Sequence, residues 1–139
     1  MAMLRRTFQA GAVTSTTTQK GTIMDHIVEK YLATWNATGD ERTKLITEHW
    51  ADDATYTDPL AEVAGHSEID ALIDGVHARF PGFVFTRVGE ADAHHRQLRF
   101  SWGLGPEGAE PLVIGFDVLV TDESGRIADV RGFLDQVPA

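Results

Sequence analysis

The chain contains no cysteine. Disulfides and thiolate metal sites are therefore out of the question, and nothing can be inferred about redox compartment. Basic residues are scarce: 12 Lys and Arg stand against 21 Asp and Glu, a formal net charge of −9. Nucleic acid and anionic membrane surfaces both call for a basic face, so neither is an expected partner. No apolar run approaches the roughly 18 residues that a membrane span requires. The six histidines never recur as His-x-His or His-x-x-x-His, so no metal is expected. What is present is ordinary for a globular protein, with 42% hydrophobic and 24% charged residues in 139. That length suits one domain with a sizeable core.

The first 23 residues differ from the rest. Thr14 to Thr18 reads TSTTT between Gly11 and Gly21, with no periodic apolar pattern. Arg5-Arg6 matches a twin-arginine pair, but no apolar stretch follows it, so export is not expected and the chain is read as cytoplasmic. Residues 1–23 are read as a flexible extension, and 24–139 as a single domain.

Three helices are expected first. Ile27, Val28, Tyr31, Leu32 and Trp35 recur at helical spacing, with Asp25 as N-cap and Gly39 beyond the end. Leu45, Ile46, His49 and Trp50 mark a second helix. Ile69, Leu72, Ile73, Val76 and Phe80 mark a third, from about Ser67, with Asp70 in its first turn and Pro81-Gly82 as its stop. A short strand, Ala54 to Asp58, lies between the second and third helices. After Phe83 the chain reads as strand. Leu98, Phe100, Trp102 and Leu104 alternate with polar or small residues, Leu112 to Val120 is apolar on both faces, and Ile127 to Val137 is last. The order ααβαβββ, with helices on one side of a curved antiparallel sheet, is an α+β architecture.

Two acids break this pattern. Asp117 stands within VIGFDVLV, where a buried charge needs a partner or a raised pKa. It is either an acid that faces solvent at the sheet rim or is satisfied by a backbone or tyrosine donor, or else an acid kept neutral, or a base kept poised, in a pocket. Asp58 precedes Pro59, which biases it toward extended backbone at a strand end. It is either part of an ordinary Asp-Pro turn or a side chain presented to a site.

The stretch YLATWNATGDERTKLITEHWADDATYTDP, Tyr31 onward, resembles the opening of ketosteroid isomerase, with a three-residue insertion near the second helix. LVIGFDVLVTDESGRIADVRGF lies along that family's last two strands without a gap. The wider resemblance is to the nuclear transport factor 2-like superfamily, which includes SnoaL-like polyketide cyclases, and it implies a cone-shaped fold with three helices packed on the sheet. It implies Tyr31 as an oxyanion-hole tyrosine, Asp58 as general base and Asp117 as a protonated acid sharing the oxyanion hole. The chemistry implied is cofactor-free enolisation of a small hydrophobic carbonyl compound. A carboxylate removes a proton beside the carbonyl, and two donors stabilise the oxygen. The alternatives are aldol ring closure by a polyketide cyclase and non-catalytic ligand binding on the same fold. The last strand has Gly132 where limonene-epoxide hydrolases carry an aspartate, which disfavours epoxide hydrolysis.

Trp35, Trp50, His94, Phe100 and Trp102 are the candidates to line the pocket; His94 shares the parity of Leu98, Phe100 and Trp102, or else belongs with His95 to a histidine pair at a turn or rim. A bicyclic ligand would need a pocket on the order of 300 Å³. Leu112, Ile114, Phe116 and Val118 give the most apolar strand a second hydrophobic face that three helices cannot cover. A homodimer through the convex face of the sheet is therefore expected.

Overall fold

The structure, a computed structural model, describes residues 10–138. Helix α1 (Ala10–Asn36) is followed by α2 (Gly39–His49), β1 (Trp50–Thr57), β2 (Glu62–Ala64) and α3 (His66–Arg79). Four strands complete the chain: β3 (Phe83–His94), β4 (Gln97–Pro106), β5 (Val113–Thr121) and β6 (Ile127–Gln136). They form one six-stranded sheet in the order β2-β1-β6-β5-β4-β3. Every neighbouring pair is antiparallel except β1 and β6, which run parallel. Among the described residues, three helices on a curved, unclosed sheet make the expected α+β cone.

Met24, Val28, Tyr31 and Trp35 form the buried stripe of α1, at the spacing of a 3.6-residue period. They pack with Trp50, Ile69, Ile73, Leu98, Phe100, Leu119 and Val130 in one core. Each such side chain contributes roughly 1.5–3 kcal/mol by leaving water.

The local differences from the sequence reading have physical causes. Helix α1 begins well before Asp25, which lies inside it and pairs with Arg87 at 3.0 Å instead of capping. A packed half-helix supplies the nucleus, and extension through threonines costs only tenths of a kcal/mol per residue. Residues 1–9 of the expected extension lie outside the described residues. Trp50 continues the apolar spacing of α2 but has extended backbone (φ −116°, ψ 139°) and opens β1. The short edge strand β2 is largely exposed and carries no periodic signal. The Asp70 carboxylate serves Arg42, not the start of α3, whose N-cap is Gly65. Arg42 is 2% exposed, holds both Asp70 and Asp74, and donates to the Ala37 carbonyl.

The remaining difference affects the site. His95 adopts φ 56° and turns the chain between β3 and β4. His94 therefore ends β3 opposite Gln97, and its parity with Phe100 and Trp102 is broken by the turn.

Candidate active site

The interior face of β5 carries Val113, Gly115, Asp117, Leu119 and Thr121, all buried. Register places Asp117 beside Phe100 of β4 and Gly132 of β6. Glycine at 132 makes room for it: a Cβ there would sit 2.6 Å from Asp117 Oδ1 and 3.4 Å from the Asp58 Cβ. Atoms do not approach so closely without displacement, so any larger residue would push the Asp117 carboxyl aside. Gly115 does the same for Trp102, whose ring lies 2.0 Å from where a Cβ would stand.

Asp117 is 2% exposed. Tyr31 Oη donates to its Oδ2 at 2.7 Å, while Oδ1 has no partner among the described residues. Burial, opposed by the Tyr31 bond and reinforced by the Asp58 charge, raises its pKa from 3.8 to about 6. The Trp102 indole N–H lies close enough to help hold the Asp117 charge, yet the contact falls short of a hydrogen bond.

The Tyr31 ring is fixed on two sides. Trp50 stacks on it at 5.5 Å and Phe100 meets it edge-on at 5.7 Å. Burial, then the Asp117 charge, pushes its hydroxyl well above 10, so it remains a proton donor at neutral pH.

Asp58 follows the last residue of β1. Its Oδ1 accepts the Leu60 and Ala61 N–H groups at 2.8 and 2.9 Å, the geometry of an Asx turn. Its Oδ2 accepts Tyr56 Oη at 2.7 Å. The turn and the presented carboxylate, alternatives in the sequence, coexist. Burial and the nearby Asp117 and Asp58 charges push the Tyr56 hydroxyl well up. Tyr56 escaped sequence reasoning; the signal available was an aromatic two residues before Asp58, on the buried parity of the strand.

Tyr31, Tyr56, Asp58 and Asp117 all line one cavity of about 220 Å³, whose walls include Trp35, Phe85, Trp102 and Leu104. Of the expected lining residues, Trp35 and Trp102 are there. Trp50 and Phe100 stand behind Tyr31 and pack it without reaching the cavity. His94 borders a separate hollow of about 90 Å³ with Asp92 and Arg99. The main cavity is smaller than the roughly 300 Å³ set by a bicyclic ligand. Trp35 and Trp102 each hold a buried indole N–H with no hydrogen-bond partner among the described residues.

Residues 28–130 match the model of the SnoaL-like domain. A SnoaL-like family protein from Agrobacterium tumefaciens, described as a candidate isomerase, is 37% identical over 82% of this chain and 98% of its own, with a TM-score of 0.77. A candidate polyketide cyclase from Sinorhizobium meliloti is 19% identical over 79% of this chain and 97% of its own, with a TM-score of 0.63. A candidate SnoaL-like polyketide cyclase from Jannaschia is 13% identical over 83% of this chain and 87% of its own, with a TM-score of 0.66. Those last two likenesses speak to the fold alone. A search among curated proteins finds no significant match. The matched stretch contains Tyr31, Asp58 and Asp117, and the chain belongs to the SnoaL-like family, within the nuclear transport factor 2-like fold class.

Proposed function

We propose that this protein enolises a small hydrophobic carbonyl compound by acid/base catalysis, in the manner of an isomerase. The observation that carries the reading is the convergence of Asp58, Asp117 and Tyr31 on one apolar cavity. Asp58 is the base. Its Oδ1 is anchored by two backbone donors, and Oδ2 keeps a second lone pair beyond the one Tyr56 occupies. Tyr56 positions that oxygen. Tyr31 and Asp117 form the oxyanion side.

In the free protein the single Tyr31 proton is directed to Asp117. Protonation of Asp117 reverses that bond: the carboxylic acid donates to the phenol oxygen, and the phenol proton turns to the substrate carbonyl. The proton abstracted by Asp58 then returns to a second carbon of the dienolate, which moves the double bond into conjugation. Such donors typically contribute 10² to 10³ in rate. A cyclase would share the enolisation and differ in the aldol step that follows; the cavity of about 220 Å³ favours the smaller product of isomerisation. Neither route calls for a cofactor.

The test is the appearance of conjugated enone absorbance from a small β,γ-unsaturated ketone. Asp58→Asn should abolish turnover while leaving phenol binding intact. Tyr56→Phe should lower kcat about tenfold with little change in KM, the loss of one hydrogen bond to a charged group. The rate should fall as pH rises through about 6, where Asp117 loses its proton. Turnover by Asp58→Asn equal to the parent would end the reading. Binding without turnover in any variant would make the cavity a receptor.

We also propose a homodimer through the outer face of the sheet. Ile114, Phe116, Val118 and Val120 are half-buried there, and Phe133, 57% exposed, packs its ring 6.4 Å from Phe116. A row of this kind on one face of a sheet is a surface that association would cover.

A further inference from the structure

One residue lining the cavity has no part in the chemistry above. Arg79 lies in the last turn of α3, exposed, and borders the same cavity as Asp117. It makes no ion pair among the described residues. Arg42, Arg87, Arg99, Arg126 and Arg131 each have a carboxylate within 4.0 Å, whereas Lys30, Lys44 and Arg96 share with Arg79 the lack of one among the described residues, and of these four Arg79 alone borders the cavity. In a chain with 21 acids and 12 Lys and Arg, a cation without a carboxylate beside an apolar opening needs an account. A favourable place at a helix C-terminus explains why α3 tolerates it there. It does not explain why its side chain borders a cavity.

The cavity is polar at two levels. Its floor is the buried Asp117 with Tyr31; its mouth has Leu60, 78% exposed, Val137, 57% exposed, and Arg79. Trp35, Phe85, Trp102 and Leu104 supply apolar wall. A neutral ketone would engage the floor and leave the mouth unused. An anionic ligand without Arg79 would meet two carboxyl groups in the cavity and the field of a chain of net charge −9.

We infer that the ligand is a small oxo acid, its carbonyl on the floor beside Tyr31 and Asp117 and its carboxylate held by Arg79 at the mouth. A guanidinium meets a carboxylate through two parallel N–H donors, which fixes orientation as well as charge. The cavity volume of about 220 Å³ restricts the rest to a single ring or a short unsaturated chain. The inference rests on the enolisation reading for the carbonyl end and adds the other end. The proton taken from carbon by Asp58 returns to carbon, no electrons are gained or lost, and the carboxylate only anchors.

The test compares para-hydroxyphenylacetate with its neutral isostere para-hydroxyphenylacetamide, binding being read by quenching of tryptophan fluorescence or by calorimetry. The acid should bind roughly tenfold more tightly, the scale of one charge-assisted contact. Arg79→Gln should erase that preference and leave the amide's Kd unchanged, Arg79→Lys should keep part of it, and added salt should weaken it. Unchanged amide binding also shows that the variant is folded. Equal binding of acid and amide, or a preference that survives Arg79→Gln, overturns the inference while the enolisation reading stands. Failure of both probes to bind overturns both. An Arg79-dependent preference without any turnover supports the anion site and removes the catalytic reading.

Discussion

Replacing Asp117 by Asn should make the protein's stability less sensitive to pH, by an amount the structure sets. Folded Asp117 holds its proton with a pKa of about 6 against an ordinary 3.8, chiefly because it is buried. The folded state therefore binds that proton more tightly than the unfolded chain. Its contribution to stability is fully present below about pH 4, declines as pH rises, and is gone above about pH 6, where folding must bury a charge. The gap from 3.8 to about 6 corresponds to about 3 kcal/mol. Asparagine does not titrate, can accept the Tyr31 proton, and can place an N–H where Asp117 Oδ1 now has no partner. The stability of Asp117→Asn relative to the parent should thus shift in favour of Asn by about 3 kcal/mol between about pH 4 and pH 8. Urea unfolding followed by tryptophan fluorescence across that range measures it. The difference between the two proteins cancels the titration of the other acids. A difference that stays flat, or that moves toward the parent at high pH, would refute the reasoning that burial dominates at this carboxyl.

Gly132→Ala should cost about 1–3 kcal/mol in unfolding free energy and reduce phenol binding, because its Cβ would meet Asp117 Oδ1 at 2.6 Å. Gly75→Ala, on α3 with nothing within 4 Å of the new carbon, should instead stabilise by about 0.5–1 kcal/mol; a Gly132 variant behaving like it would show that the carboxyl has room to move. Light scattering at micromolar concentration should give the mass of two chains, and Phe116→Asp should give one; a parent that is monomeric removes the dimer proposal.

The sequence by itself determined the helices, the sheet-forming half of the chain and the acids worth attention. Tyr31, Val28 and Trp35 declare a buried stripe by spacing alone, and Asp117 is conspicuous because its neighbours are apolar on both parities. Such signals are local, and a periodic pattern survives in one dimension. What lay beyond the sequence depends on residues far apart in it. Only the register of β5 against β6 puts Gly132 where Asp117 needs space, and only the packing of α1 across the sheet brings the Tyr31 hydroxyl 2.7 Å from a carboxylate 86 residues away. Tyr56 and Arg79 look like core and surface residues until the cavity gives them a common boundary. His94 went the other way. Its parity matched the pocket face, but a turn at His95 separates it from that face, and one residue in the left-handed region leaves no periodic trace. Spacing sets which way a side chain faces, whereas tertiary structure decides what it faces, because a hydrogen bond or a repulsion acts over a few ångströms of space however long the chain between.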